Sequence, residues 1–188
     1  IRESMEKGSW IRQMFEAGAR LKAEHGAENV FDFSLGNPIL EPPQQVHEQL
    51  RLLLENPEPG MHRYMPNAGF EETREFIAGV MRDETGHPFG CEDVVMCVGA
   101  GGGLNVVFKA LLEAGDEVLA LTPYFVEYGA YVQNHGGRLT LAETTAEFQP
   151  DLDSIEASLS EQTKILIINS PNNPTGAVYS QQTLDELA

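Results

Sequence analysis

Three short stretches of this 188-residue sequence combine residue types that could hold a ligand. The first is "VGAGGGLN", residues 98–105, a glycine-rich turn entering an apolar helical run. Bare backbone amides at a helix N-terminus make an anion site, most naturally for a phosphate. The same residues also suit an ordinary strand-to-helix turn. Two familiar phosphate patterns fail here: GxGxxG needs glycine where Leu104 stands, and a P-loop needs a lysine well before Lys109. The second stretch is "LTPYFVEY", residues 121–128. Its aromatics, Tyr124, Phe125 and Tyr128, can stack on a planar ligand, worth roughly 0.5–1.5 kcal/mol beyond area burial, or can pack a helix onto a sheet. The third is "NSPNNPTG", residues 169–176. Pro171 and Pro174 restrict the backbone around them, so a side-chain amide can be aimed at little entropic cost. An amide NH2 is a donor suited to a phenolate-like oxygen; the alternative is a loop whose asparagines only bond their own backbone.

The elements around these stretches say where they sit. From Val94 onward, apolar runs alternate with amphipathic ones. Strands are expected at "VVMCV", "DEVLALT", "RLTLAE" and "KILIIN". Between them, helices are expected at "LNVVFKALLEA", stopped by Gly115, at "VEYGAYVQNHG", and at "DLDSIEASLS", with Asp151 as cap. Such alternation implies a mostly parallel sheet with helices on both faces. In open sheets of this kind, ligands gather at the carboxyl ends of the strands, and all three stretches fall there. Upstream, helices are expected over residues 9–24 with Ser9 as cap, over "QQVHEQLRLLLEN" and over residues 70–83, with an extended piece from Val30 to Leu35.

Composition narrows the classes of function. Twelve basic against 29 acidic residues leave a net charge of −17, which repels phosphate backbones and argues against nucleic acid as a partner. No apolar stretch approaches the roughly 18 residues of a membrane span, and no secretory signal opens the chain. Cys91 and Cys97 fit neither a CxxC motif nor a zinc knuckle, so a reducing cytosol is expected. The five histidines are scattered without HxxxH or HExxH spacing, and no metal is expected. The chain opens on Ile1 and stops in a fresh helix capped by Ser180, so part of a longer protein is expected.

In order along the chain, "FSLGNP", "YMPNAGFEETR", "VGAGGGLNVVFKALLEAGDEVL", "TPYFVEY" and "NSPNNPTG" resemble the fold-type I pyridoxal-phosphate (PLP) aminotransferases, class I/II, which include aspartate aminotransferase. The likeness covers residues 30–188. It implies a three-layer α-β-α sandwich with a mostly parallel sheet, the incomplete large domain of that fold, over residues 46–188. Residues 1–45 would form the N-terminal arm and a helical and extended part of the small domain. It further implies pyridoxal 5'-phosphate as cofactor, its phosphate held by the amides of Ala100, Gly101 and Gly102, where the family often carries a hydroxyl or acidic side chain. Phe125 would stack on the pyridine ring, where the family usually has Trp or Tyr. Asn173 would bond the ring's phenolic oxygen, leaving Asn169 and Asn172 to hold the loop. Tyr64 would reach the phosphate of a neighbouring subunit in a homodimer. Gly36 and Asn37 would lie near the substrate carboxylate.

The sequence also departs from the family. The Schiff-base lysine has no counterpart among Lys7, Lys22, Lys109 and Lys164, nor are the aspartate for the pyridine nitrogen and the arginine for the α-carboxylate evident. The expectation is therefore a cytoplasmic amino-acid transaminase acting on an amino acid and a 2-oxo acid, with this segment inactive by itself. A PLP-dependent C–S lyase of the same fold and a non-catalytic aminotransferase-like sensor domain are the alternatives. A nicotinamide-dependent enzyme has no use for the Asn-Pro-Thr-Gly loop.

Overall fold

The computed structural model describes residues 10–33, 36 and 40–188, in two compact units, Ile1–Tyr64 and Met65–Ala188. Ser9, Ser34, Leu35 and Asn37, all named above, lie outside the described residues.

In the first unit, helix α1 spans Trp10–His25 and α2 spans Gln44–Glu55. Gly26, with φ 85°, ends α1 and donates its N–H to the Lys22 carbonyl at 3.1 Å, a conformation that favours glycine. The chain then returns along α1, where Lys22 Nζ pairs with Asp32 at 2.7 Å. Gly18 makes room for that return: a Cβ there would stand 2.8 Å from the Asp32 carboxylate. Helix α2 buries none of its residues.

The second unit begins with α3, Glu71–Thr85, which stops at Gly86 in the left-handed region (φ 74°). Arg74 and Arg82 on this helix donate to the carbonyls of Cys91 and Phe89 and so hold the following turn. Next come α4 (Gly99–Leu111), β1 (Glu117–Leu121), α5 (Glu127–Asn134), β2 (Arg138–Ala142), α6 (Leu152–Ser158), β3 (Thr163–Ile167) and α7 (Gln181–Leu187). The three strands are parallel, in the order β2-β1-β3. All five residues of β1 are buried, as a central parallel strand covered on both faces must be.

Alternation along β1 builds two cores. Val118 and Ala120 pack with Phe108 of α4 and Tyr128 and Val132 of α5. Leu119 and Leu121 pack on the other face with Ile155 of α6 and Tyr179, flanked by Leu184 and Leu187 of α7. Helix, sheet and helix thus form the three layers that the alternating pattern implies. Two expected caps hold: Asp151 accepts from the Ser154 N–H at 3.1 Å, and Ser180 from the Thr183 N–H at 3.1 Å.

Two expectations are corrected. "VVMCV" is not a buried strand. Val94 is buried, but Val98 is 95% exposed, and among the described residues no strand pairs with this segment. Its Met96 N–H donates instead to the Ala68 carbonyl at 2.9 Å. Apolar, β-branched composition suits a strand but supplies no ladder partner. The glycine run, expected as a turn, is the first turn of α4 itself, which starts at Gly99 rather than Leu104. Glycine costs about 1 kcal/mol per helical position; the packing of Leu104 and Phe108 against the core offsets it.

Among the described residues, no helix is long and apolar enough to cross a membrane.

Candidate functional site at the carboxyl ends of the strands

The loop after β3 shows a division of labour among its asparagines. Asn169 donates from Nδ2 to the Pro171 carbonyl at 3.1 Å and accepts the Asn173 N–H at 2.8 Å. Asn172 is buried. Its Nδ2 donates to the Tyr179 hydroxyl at 3.2 Å, and its Oδ1 accepts from the Thr175 N–H and hydroxyl at 3.3 and 3.0 Å. Its main chain is tied as well, to Ala177 at 2.8 Å and Gly176 at 2.7 Å. Every polar group of Asn172 is thereby spent, as burial requires. Asn173 is exposed, and its carboxamide has no partner among the described residues. Both proline bonds of the loop, Ser170–Pro171 and Asn173–Pro174, are cis, as is Thr122–Pro123 after β1.

The aromatic stretch follows β1. Phe125 is half-buried and meets Tyr128 edge-on at 5.7 Å, while Tyr124 stacks on Tyr128 at 6.4 Å. Tyr128 is the core member of the three; Tyr124 and Phe125 pack against its cluster from the rim. Burial pushes the Tyr128 phenol above its ordinary pKa, with the nearby Tyr179 and Tyr131 adding to the shift.

The glycine-rich turn lies at the same end, because α4 runs back antiparallel to β1 and its first residues reach the carboxyl end of that strand. The Gly102 N–H already donates to the Val98 carbonyl at 3.3 Å. The Ala100 and Gly101 amides have no such acceptor among the described residues, the usual state of a first helical turn. That turn carries no acidic residue. Asn105 fixes it from within: its Nδ2 donates to the Gly101 carbonyl at 2.8 Å, while its Oδ1 meets His135 Nε2 at 3.0 Å. A Cβ added to Gly101 would lie 3.0 Å from the hydroxyl of Tyr131, on α5. Nothing in the linear sequence marks Tyr131 as a neighbour of this turn.

Tyr64 and Gly36 belong to the first unit. The Tyr64 ring is fully exposed, and a Cβ on Gly36 would meet nothing within 4 Å. Of the four lysines, Lys22 is spent on Asp32, and Lys109 and Lys164 are exposed on α4 and β3; Lys7 lies outside the described residues.

The sheet's opposite end is built differently. Glu117, at the start of β1, is 3% exposed. Its carboxylate accepts from Arg138 on β2, from Ser160 Oγ at 2.7 Å and from Thr163 Oγ1, on β3, at 3.3 Å. It clips all three strands at their amino ends.

Residues 28–188 match the family model for aminotransferase class I and II. Over 155 residues the chain is 39% identical to the aspartate/prephenate aminotransferase of Thermus thermophilus, covering 81% of this chain and 40% of that protein. Among solved structures, an amino transferase from Eubacterium rectale superposes with a TM-score of 0.92 at 38% identity, over 100% of this chain and 49% of that one. The Thermus thermophilus aspartate aminotransferase with maleate gives 0.81 at 34% identity, over 95% and 46%. The chain spans less than half the length of each of these relatives.

Proposed function

Since the chain belongs to the class I and II aminotransferase family, we propose that the whole protein is a PLP-dependent transaminase moving an amino group between an amino acid and a 2-oxo acid. The observation that carries this reading is one edge of the sheet with two unlike open donors. The Ala100 and Gly101 amides begin α4, and the free Asn173 carboxamide sits on a loop locked by its neighbours. A phosphorylated, planar, oxygen-bearing cofactor fits that set. Two amides and a helix N-terminus suit a phosphate. The rim aromatic Phe125 suits a ring face. An NH2 donor suits the ring's phenolic oxygen.

When bound, the cofactor supplies an electron sink for charge developing at the amino acid's α-carbon. The chain's own residues do the holding. Ala100 and Gly101 would donate their N–H groups to the phosphate, with Gly102 able to contribute only a shared N–H. Phe125 would cover a ring face while keeping its edge-on contact with Tyr128. Asn173 would donate to the phenolic oxygen and so favour its anionic form. Tyr64 would serve the phosphate of a second subunit in a homodimer, and Gly36 and Asn37 would serve the substrate carboxylate. Residues 1–45 serve the small domain and residues 46–188 the large one. By this reading none of Lys7, Lys22, Lys109 and Lys164 would be the lysine that holds the cofactor, the segment alone would be inactive, and the enzyme would be cytoplasmic.

The names of the relatives make aspartate the first amino donor to try. The test is full-length protein with PLP, aspartate and 2-oxoglutarate. The expected product is glutamate, formed by ping-pong kinetics. Pyruvate and ammonia released from a cysteine conjugate, without glutamate, would replace the reading with a C–S lyase. PLP binding without turnover of either kind would replace it with a sensor domain.

A further inference from the structure

Tyr131 projects from α5 with its ring against the core cluster of Phe108, Val118 and Tyr128. Its hydroxyl ends beside the first turn of α4, 3.0 Å from where a Cβ on Gly101 would stand. The hydroxyl has no hydrogen-bond partner among the described residues, and it is not sealed from solvent. Gly101 carries one of the two open amides of that turn. The Tyr131 O–H thus neighbours the residue that carries an open main-chain N–H, both groups lack an acceptor among the described residues, and the turn has no acidic side chain. Glycine at 101 leaves the space that this hydroxyl approaches, so the two residues are matched: any side chain at 101 would crowd Tyr131.

We propose that the Tyr131 hydroxyl is a ligand of the cofactor phosphate, donating to it beside the Gly101 amide from a helix that the glycine-rich turn does not contain. This rests on the PLP reading above and adds a side-chain donor to a site otherwise made of main chain. Tyr131 thus fixes the phosphate end of the cofactor, and the contact is specific for the phosphorylated form.

The test compares full-length wild type with Tyr131→Phe, measuring dissociation constants for PLP and for pyridoxal, which lacks the phosphate, by cofactor absorbance. A hydrogen bond to a charged group is worth enough to weaken PLP binding about ten-fold or more. Pyridoxal binding should be unchanged, and so should the melting temperature. The double variant Tyr131→Phe/Gly101→Ser returns a hydroxyl to the turn and should recover part of the PLP affinity. Gly101→Ser alone should bind PLP less well than wild type, because its Cβ meets Tyr131. An unaltered PLP affinity in Tyr131→Phe would overturn the proposal, as would an equal loss for PLP and pyridoxal, the mark of a packing role. If wild-type protein itself bound PLP no better than pyridoxal, the PLP reading and this proposal would both fall, whereas a wild-type preference kept intact by Tyr131→Phe removes the proposal alone.

Discussion

The two ends of the three-stranded sheet are finished in opposite ways. At the amino end, Glu117 gathers Arg138, Ser160 and Thr163 around one buried carboxylate, and each of those donors is matched. At the carboxyl end, satisfied groups alternate with open ones. Asn172 is fully bonded beside a free Asn173, and the tied Gly102 amide follows the open amides of Ala100 and Gly101. A closed polar network holds the sheet together; an open one leaves hydrogen-bonding capacity for something else. Stability and binding should therefore separate between the two ends under mutation.

The largest effect expected is at the closed end. Glu117→Ala removes the acceptor for three donors and should lower unfolding free energy by about 2–3 kcal/mol, read by urea denaturation of the full-length protein, while the ratio of PLP to pyridoxal affinity stays at the wild-type value. A loss of cofactor discrimination would break the contrast between the ends. Next comes Asn172→Ala, which strands the Tyr179 hydroxyl and the Thr175 donors; a loss of about 1–2 kcal/mol is expected in the same assay. The adjacent Asn173→Ala sharpens the contrast. Its stability should stay within about 0.5 kcal/mol, while PLP affinity falls about ten-fold; equal stability losses at 172 and 173 would contradict the division of labour. The smallest effect concerns Tyr128. Its folded pKa is raised, so the folded state holds its proton more tightly than the unfolded chain does. Its contribution is complete below the ordinary tyrosine value of about 10 and declines as pH rises through that value toward the folded one. Tyr128→Phe should flatten this part of a melting profile taken between about pH 9 and 11, and a slope unchanged from wild type would assign it to other groups.

Much of this was legible in the sequence where chemistry is local. The caps Asp151 and Ser180 and the strand–helix alternation after Gly115 depend on neighbouring residues, and they appear as expected. So does the loop after β3, where Asn169 and Asn172 fold onto their own backbone. What the sequence did not disclose depends on partners far along the chain. "VVMCV" has strand composition but no paired neighbour among the described residues, so its backbone bonds elsewhere. The family resemblance led to the Gly-rich turn but treated Ala100, Gly101 and Gly102 alike, because which amide the Val98 carbonyl captures is decided by where the helix starts. Tyr131 was invisible for a similar reason: only the packing of α5 on α4 brings it to Gly101.

The central position of β1 bears on how the chain is made. The first of the three strands to leave a ribosome is the one that must end in the middle. β2 follows directly and can cover one of its edges, yet β1's other hydrogen-bonding edge waits until Thr163–Ile167 has been synthesised. During that interval the nascent polypeptide exposes an unsatisfied parallel edge, with Leu119 and Leu121 still lacking Tyr179 and α7 above them. Pairing distant in sequence is slow to form, and such an edge invites pairing with other chains. The edge of β1 that pairs with β3 is thus covered later than the one that pairs with β2, and its apolar face later still, once Tyr179 and α7 have followed.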